Sequence, residues 1–380
     1  MPAPTTTQSP TALYIHWPFC ARLCPYCDFN VHKWRRDPDA ERALVDAIIS
    51  DLEAQTEWAG RRTLGSVHFG GGTPSLLPAE EVERLLETAY RLHNVADGAE
   101  LGLEANPEHL RPAHLADLAS LGLNRVSLGV QSFHDPALRM LGREHTGAKA
   151  RAAVEAALST VPNTSVDLIY GWVADGAGQT PEQWRADLDT ALDLRAPHVS
   201  AYQLTVEPGT AFERAQRRGR HRTVGGDASG TLFAMAGEVL GAAGLHPYEV
   251  SNHARPSFES RHNLAYWRGR DYFGVGPGAH GRLTVEGTRW ATETPRLPRT
   301  YTLDPAPARE ALEPREHALE RLLLGLRTRE GVEADVLASF PGWRTRVGPE
   351  WLEVVDGGTR VRATPAGRAL LDSVVERVVG

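Results

Sequence analysis

Residues 14–27 read YIHWPFCARLCPYC, and this stretch carries every cysteine of the chain: Cys20, Cys24 and Cys27. An odd set of closely spaced cysteines is a poor basis for disulfides. Three thiolates on one loop suit a cuboidal iron–sulfur cluster, in which one iron keeps no protein ligand and can chelate a small molecule. The stretch begins in an apolar run that we predict as a strand, so the cysteines follow the carboxyl end of that strand.

A zinc site is the alternative to an iron–sulfur cluster. Zinc accepts three cysteines and one histidine, and His16 or His32 would complete such a set. Zinc sites usually combine a C-x-x-C pair with a distant second pair of ligands, and a second cysteine pair is missing from this sequence. The spacing therefore favours the cluster over zinc, and a zinc-stabilised interaction protein becomes a minor alternative.

Short β-branched runs alternate with amphipathic helical stretches over the first 204 residues. The predicted strands are Leu13–His16, Ser66–Phe69, Glu100–Glu104, Arg125–Val130, Ser165–Tyr170 and His198–Leu204. Such alternation predicts a parallel sheet with helices outside it. Because six units are fewer than the eight of a full barrel, we predict an α/β fold built on a three-quarter (βα)6 partial TIM barrel whose gap admits a large ligand.

Each predicted strand ends in glycine or polar residues. The segments concerned are the cysteine loop, GGGTP at 70–74, EANP at 104–107, Gln131-Ser132, Asp167 and residues 203–205. Function in parallel α/β folds sits at the carboxyl ends of the strands. One such coincidence means little, but six together predict a shared site.

The remaining sequence predicts a second, smaller domain. We assign residues 11–294 to the barrel and a following aromatic segment, 295–308 to a Pro-rich linker, and 309–380 to a small α+β domain. This last domain combines a Leu-rich helix, a hairpin across Gly357-Gly358 and a final helix from Pro365, an order that resembles a winged helix. Because the chain is acidic overall, we interpret it as a packing domain without a nucleic-acid role.

The charge of the chain and the character of its first residues limit the partners and the cellular location that we expect. The formal net charge of −7 argues against a nucleic-acid partner, since domains that bind nucleic acids are usually basic. Five arginines between residues 214 and 222 favour a solvated loop, with at most a peripheral contact with a membrane surface. Residues 1–10 lack the features of a secretory signal, so we expect a flexible tail and a cytoplasmic location, where thiols stay free for metals.

The cysteine loop closely resembles that of radical S-adenosylmethionine (SAM) proteins. More narrowly, it resembles the branch that holds oxygen-independent coproporphyrinogen III dehydrogenase and the HemW heme chaperones. The resemblance extends over essentially the whole chain from Thr11 and implies the same three-quarter barrel. It also implies that Cys20, Cys24 and Cys27 hold a [4Fe–4S] cluster, with SAM as a second cofactor.

The resemblance also assigns SAM contacts to the strand ends. Glycines of the GGGTP segment let backbone N–H groups approach the ligand closely. Glu104 is expected to bind the ribose hydroxyls and Arg143 the SAM carboxylate. The residues carried over are Tyr14, Tyr26, Gly71, Gly72, Thr73, Glu104, Gln131, Arg143, Asp167 and Thr205. His280 aligns with a further position of the same pocket.

Three features separate the two branches. The dehydrogenase carries a fourth cysteine two residues after the third, and this chain has Phe29 at that position. The dehydrogenase also has a long N-terminal extension, whereas only thirteen residues precede Tyr14 in this sequence. Residues 262–267 match the HNxxYW motif of HemW-like proteins. The resemblance therefore implies a heme chaperone, with no catalytic residue assigned, that passes heme to acceptors such as respiratory enzymes. The dehydrogenase, which oxidatively decarboxylates coproporphyrinogen III, is the alternative.

The HNxxYW segment has its own physical logic. Imidazole is a good axial ligand of heme iron and tyrosine can be one. In a helix, His262 and Tyr266 lie one turn apart on one face. Trp267 offers a flat apolar surface for a porphyrin, and Arg268 or Arg270 is placed to pair with propionates. The alternative is a histidine and aromatics that pack the open edge of the barrel. Sequence physics alone favours this packing role, and the resemblance favours heme binding.

Overall fold

A computed structural model describes residues 9–220 and 223–380. Its strands are β1 (Thr11–Trp17), β2 (Phe19–Cys20), β3 (His32–Lys33), β4 (Thr63–Gly71), β5 (Asn94–Ala105), β6 (Arg125–Gln131), β7 (Thr164–Tyr170), β8 (Val173–Ala174), β9 (Ala177–Gly178), β10 (His198–Gln203), β11 (His246–Pro247), β12 (Asn252–Ala254), β13 (Tyr272–Val275), β14 (His280–Val285), β15 (Thr288–Glu293), β16 (Ala308–Ala311), β17 (Val332–Glu333), β18 (Leu352–Val355) and β19 (Arg360–Ala363). Its helices are α1 (Pro38–Ala59), α2 (Ala79–Leu92), α3 (Pro112–Ser120), α4 (Asp135–Met140), α5 (Gly147–Thr160), α6 (Pro181–Asp193), α7 (Ala211–Arg217), α8 (Gly226–Ala242), α9 (Arg261–Trp267), α10 (Pro298–Leu303), α11 (Pro314–Gly325), α12 (Trp343–Arg346), α13 (Pro365–Ala369) and α14 (Leu371–Val379).

The predicted barrel strands lie side by side in one sheet. Their order is β1-β4-β5-β6-β7-β10, and every neighbouring pair is parallel. Leu13, Val67 and Leu103 lie on one face of this sheet and are fully buried, as expected for the face that helices cover. The predicted α/β partial barrel is confirmed. Because the strands are parallel, their carboxyl ends meet at one rim.

The sheet continues beyond the barrel at both ends. β1 has a second parallel neighbour, β13, and Leu13 of β1 lies opposite Phe273 of β13. From there β14, β15 and β16 continue in antiparallel order, while β12 pairs with β10 at the opposite end. These strands were not predicted from the sequence. They place the aromatic segment of residues 261–280 beside the strand that leads into the cysteine loop.

The Pro-rich segment 295–308, which we predict as a linker, includes regular structure. It contains α10, in which Tyr301 is fully buried. The Tyr301 hydroxyl donates a hydrogen bond to Asp51 Oδ2 on α1 at 2.7 Å and accepts one from the Gly276 backbone N–H at 2.9 Å. One buried aromatic residue with a satisfied hydroxyl thus ties the segment to the barrel.

The C-terminal residues form a small domain with its own apolar cluster, which includes Leu322, Val361 and Val378. Its elements run α11, β17, α12, β18, β19, α13 and α14, and the sheet order is β17-β19-β18. Thr364 caps α13 and Pro365 occupies its first position, as the sequence indicates. The arrangement is that of a winged-helix-like domain.

The basic stretch and the predicted N-terminal tail are only partly covered by the described residues. The basic stretch at 214–222 starts inside α7, where Arg217 pairs with Glu213, and Arg222 lies outside the described residues, as do residues 1–8 of the predicted tail. Within the described ranges, no helix has both the length and the apolar character needed to cross a bilayer.

Candidate functional site

The three cysteines lie on the loop that follows β1, and they line one cavity of about 420 Å³ at the rim of the barrel. The loop is held against the GGGTP segment, because the Thr73 N–H donates to the Phe19 carbonyl at 2.9 Å and the Gly72 N–H donates to the Trp17 carbonyl at 2.7 Å. Burial raises the pKa of the Cys20 thiol to about 11 and that of Cys27 to about 12. Thiols that are hard to ionise in this way become thiolates when they coordinate a metal.

Most of the predicted SAM residues line the same cavity, which we call the first cavity. They are Tyr26, Gly71, Gly72, Thr73, Glu104, Gln131, Arg143, Asp167 and Thr205. They lie on, or in the segments that follow, the six parallel strands β1, β4, β5, β6, β7 and β10, so the parallel order of the sheet brings them together. Tyr14 is the exception: it faces a neighbouring cavity, and its hydroxyl lies 3.0 Å from His16 Nδ1.

Close packing accounts for two of the glycines. Gly71 has φ +106°, and a Cβ there would lie 2.4 Å from the His16 ring. A Cβ on Gly72 would lie 2.6 Å from the Phe19 carbonyl oxygen. The Gly71 N–H donates to Glu104 Oε2 at 3.0 Å. These glycines therefore let the segment approach the cysteine loop, and one of them also orients the Glu104 carboxylate.

Arg143 occupies the buried end of the first cavity. Its Nη2 donates to Glu108 Oε2 at 3.0 Å and to the Gly129 carbonyl at 3.1 Å, and its Nη1 lies 3.4 Å from Cys24 Sγ. Burial alone would lower the pKa of Arg143, but its neighbours Tyr26, Glu108 and Cys24 hold this pKa above the usual range. The guanidinium is thus a fixed positive charge beside the cysteine loop.

Two residues that the sequence analysis missed complete this arrangement. Glu108 accepts hydrogen bonds from Arg143 and from His145, whose Nδ1 lies 2.9 Å away, and His145 Nε2 lies 3.0 Å from the Val130 carbonyl. Burial opposes ionisation of Glu108, but His145 and Arg143 together lower its pKa to about 2. The sequence contains a sign of both residues, since His145 ends the LGRxH motif and Glu108 directly follows the EANP segment. Neither motif shows that the two side chains contact each other.

Asp167 is also held by its neighbours. The Ser127 hydroxyl donates to its Oδ2 at 2.7 Å and the Ser165 hydroxyl donates to its Oδ1 at 2.9 Å. Burial raises the pKa of Asp167 above its ordinary value, although these hydroxyls oppose the rise. The side chain therefore presents oriented oxygen atoms to the first cavity.

A second cavity of about 660 Å³ adjoins the first and shares Phe29, Gly71 and Glu104 with it. It lies between the part of the sheet around β1 and β13 and helix α11. Its aromatic lining consists of Phe29, Tyr14, Tyr266, Trp267 and Tyr272, and its basic lining includes Arg282, Arg289, Arg296 and Arg321. Two of its apolar side chains are unusually exposed, Phe29 at 62% and Leu323 at 43%. A cavity of this size and lining suits a large, flat, acidic ligand.

The HNxxYW segment forms α9, so His262 and Tyr266 lie one turn apart as expected. The His262 ring is buried and does not line the second cavity. Its Nδ1 lies 3.1 Å from the Ser66 hydroxyl and its Nε2 lies 2.8 Å from the Tyr266 hydroxyl. Burial lowers the pKa of His262 well below the ordinary value, so the ring is neutral. Both nitrogens are engaged, whereas Tyr266 and Trp267 reach the cavity.

The arginines that we expected to pair with propionates lie elsewhere. Arg268 forms a two-pronged ion pair with Glu330 of the small domain, with Nε 2.9 Å from the carboxylate. Neither Arg268 nor Arg270 lines the second cavity, and both line a separate depression near β5. His280, expected in the SAM pocket, is an exposed residue of the second cavity instead.

Known proteins resemble this chain along most of its length. Residues 14–188 match the model of the radical SAM superfamily. The heme chaperone HemW of Mycobacterium tuberculosis (strain H37Rv) is 37% identical over 98% of this chain and 95% of its own. HemW of Escherichia coli K12 is also 37% identical, over 77% of this chain and 75% of its own.

This chain belongs to the HemW family of radical SAM proteins. A zebrafish (Danio rerio) relative named radical S-adenosyl methionine domain-containing protein 1, mitochondrial, is 35% identical over 84% of this chain and 73% of its own. Coproporphyrinogen III oxidase (HemN) from Escherichia coli, a radical SAM enzyme, shares the fold with a TM-score of 0.80 over 98% of this chain and 90% of that one, at 22% identity.

Membership of the radical SAM superfamily implies a [4Fe–4S] cluster and SAM, and the first cavity of this HemW-family protein fits both. In the part of the chain that the structure describes, no three His, Cys, Asp or Glu side chains are arranged to hold one metal ion. The cysteines of a cuboidal cluster bind different irons, so their sulfur atoms need not converge on one point. Arg143 Nε is buried without a partner among the described residues, which leaves a donor for a bound ligand.

Proposed function

We propose that this protein is a heme chaperone, which binds heme in the second cavity and passes it to acceptor proteins such as respiratory enzymes. The observation that carries the proposal is the second cavity itself: it is large, aromatic and arginine-rich, and it adjoins the cavity of the cysteines. The names of the HemW relatives support the same function. The tight clustering of three free cysteines supports a reducing, cytoplasmic setting.

In the first cavity, Cys20, Cys24 and Cys27 would hold the [4Fe–4S] cluster, with SAM beside it. Together these cofactors supply one-electron chemistry when bound. The chain's own residues would orient the SAM molecule: Arg143 would pair with its carboxylate, and Glu104 would accept hydrogen bonds from its ribose hydroxyls. The remaining contacts would come from other residues that line the cavity: Tyr26, Gly71, Gly72, Thr73, Gln131, Asp167 and Thr205.

In the second cavity, Tyr266 and Trp267 supply flat surfaces for the porphyrin. His262 acts on heme through Tyr266, because its Nε2 lies 2.8 Å from the Tyr266 hydroxyl and fixes the orientation of that ring. Tyr14 forms part of the same wall. The exposed side chains of Phe29 and Leu323 are the apolar surface that a bound porphyrin would cover.

The test is an anaerobic heme titration of the cluster-reconstituted protein, followed by incubation with an acceptor apoprotein. We expect saturable binding near one equivalent, seen as a shifted Soret band, and movement of that band to the acceptor. Absence of saturable binding with the cluster intact would refute the proposal.

Coproporphyrinogen III dehydrogenase activity is the second candidate, since a tetrapyrrole in the second cavity would lie next to SAM across Phe29 and Glu104. The replacement of a fourth cysteine by Phe29 speaks against it. An anaerobic assay with SAM, a reductant and coproporphyrinogen III separates the two. Protoporphyrinogen formation at enzymatic rates would reverse our preference.

A further inference from the structure

Three histidines line the second cavity, and their ring nitrogens differ in availability. Those of His16 are both engaged, because Nδ1 lies 3.0 Å from the Tyr14 hydroxyl and Nε2 lies 2.9 Å from the Asn30 carbonyl. His280 sits on the rim with its side chain 58% exposed and lies 3.9 Å from a Glu293 carboxylate oxygen. His317 is half-buried, and its ring forms no hydrogen bond or ion pair within the described ranges.

The surroundings of His317 also favour the neutral form of its ring. Burial lowers its pKa below the ordinary value, and the charges of Arg289 and Arg321 lower it further, against the opposing charges of Glu320 and Asp271. A neutral imidazole keeps a lone pair for a metal. The Tyr266 phenol is less available, since it is already hydrogen-bonded to His262.

The position of His317 on α11 directs it into the cavity. Glu320, Arg321 and Leu324 lie three, four and seven residues further along the helix, so all four share one face. All four line the second cavity. The Glu320 carboxylate is occupied by Arg282, whose Nη2 lies 2.7 Å away, so it leaves the His317 ring free.

The arginines of the second cavity also differ in whether their side chains already have a partner. Arg282 pairs with Glu320, Arg289 pairs with Asp271, and Arg321 pairs with Glu333. Arg296 has no side-chain partner in the part of the chain that the structure describes. Its backbone is nevertheless fixed, because its carbonyl accepts a hydrogen bond from Asn30 Nδ2 at 2.8 Å. An unpaired guanidinium on an anchored backbone suits a ligand carboxylate.

We propose that His317 is an axial ligand of the heme iron and that Arg296 pairs with a heme propionate. This inference rests on the proposed heme-binding function and adds the groups that recognise the cargo. It places the iron-binding group on the small domain and the carboxylate-binding group on the segment that joins that domain to the barrel. Heme would thus be held between the two units, next to the exposed ring of Phe29.

The experiment compares heme with metal-free protoporphyrin IX as probes for wild-type protein and variants under anaerobic conditions. For His317→Ala we expect heme affinity to fall at least about tenfold and the Soret band to shift, while protoporphyrin affinity stays unchanged. Added imidazole should restore the spectrum. His246→Ala is the matched control and should leave both probes unchanged, because His246 is exposed and does not line the cavity. His317→Gln, which keeps more of the side-chain volume, should behave like His317→Ala.

For Arg296→Ala we expect both probes to bind about threefold more weakly, because both carry propionates. Arg299→Ala is its control, since Arg299 belongs to the same segment but does not line the cavity. Wild-type protein that binds no heme would refute the proposed function itself. Wild-type binding with unchanged spectra in both His317 variants would overturn only this inference. An equal loss of both probes in those variants would also overturn it, because His317 would then be a wall residue.

Discussion

The two cavities differ in how far the protein has already satisfied their polar groups. In the first cavity, Arg143 has several acceptors, Asp167 has two hydroxyl donors and Glu104 accepts a backbone N–H. In the second cavity, Arg282, Arg289 and Arg321 are paired as well, but His317 and Arg296 have no side-chain partner within the described ranges and Leu323 is exposed.

This difference fits two kinds of ligand. Groups that are held in place by other protein groups lose little freedom on binding and are suited to a resident cofactor. Groups that are left open are suited to a ligand that arrives and leaves, because its binding need not displace existing ion pairs. The first cavity therefore corresponds to cofactors and the second to cargo.

The largest effect should come from Cys20→Ser. We expect loss of the [4Fe–4S] cluster, because a cuboidal cluster on three cysteines depends on each of them. Heme binding in the second cavity should persist, because Cys20 does not line it. Iron and sulfide analysis beside a heme titration measures both, and loss of heme binding together with the cluster would show that the cavities are not independent.

A smaller effect is expected from Glu108→Gln, which tests the preformed ion pairs of the first cavity. The folded-state pKa of Glu108 is lowered from 4.5 to about 2, so its contribution to stability is present above pH 4.5 and is lost as the pH falls through about 2. We expect the wild type to exceed the variant by roughly 2–3 kcal/mol in free energy of unfolding at neutral pH. This difference should vanish near pH 2.

Urea unfolding across this pH range measures the difference for Glu108→Gln. Glu144→Gln serves as the control, because Glu144 forms only an exposed pair with Arg22. A pH-independent difference for Glu108→Gln would mean that the ion pairs do not stabilise the first cavity.

His262→Gln tests whether the HNxxYW histidine is a structural support of the second cavity. We expect it to lower the free energy of unfolding by about 1–3 kcal/mol, because the buried partners Ser66 and Tyr266 lose well-oriented hydrogen bonds. The Soret band of bound heme should keep its position. The exposed His246 provides the control, as His246→Gln should change neither quantity. A changed Soret band with unchanged stability would instead identify His262 as the iron ligand.

The smallest effect should come from Arg268→Ala, which tests whether Arg268 belongs to the second cavity. Its exposed ion pair with Glu330 is worth about 0–1 kcal/mol, and Arg268 does not line the cavity. Heme affinity should therefore stay the same while the melting temperature falls slightly. A marked loss of heme affinity would restore the interpretation that Arg268 binds a propionate.

Sequence patterns predicted the barrel well and the second cavity poorly. The strands of the barrel carry apolar runs followed by turn residues, so both their positions and their ends are readable. The Pro-rich segment shows another limit, because prolines indicate a break in regular structure but do not show that Tyr301 is buried against Asp51. His262 stood out through its motif, yet the motif does not show that its ring nitrogens are already engaged.

By itself, the sequence determined the cysteine loop, the parallel barrel and the rim where its strands end, because spacing and periodicity are local properties of the chain. The tertiary structure alone decided that β13 lies beside β1, that Tyr14 lines the second cavity rather than the first, and that His317 lines that cavity too. These contacts join segments far apart in the chain, and they depend on how whole surfaces pack together. No local pattern records that packing.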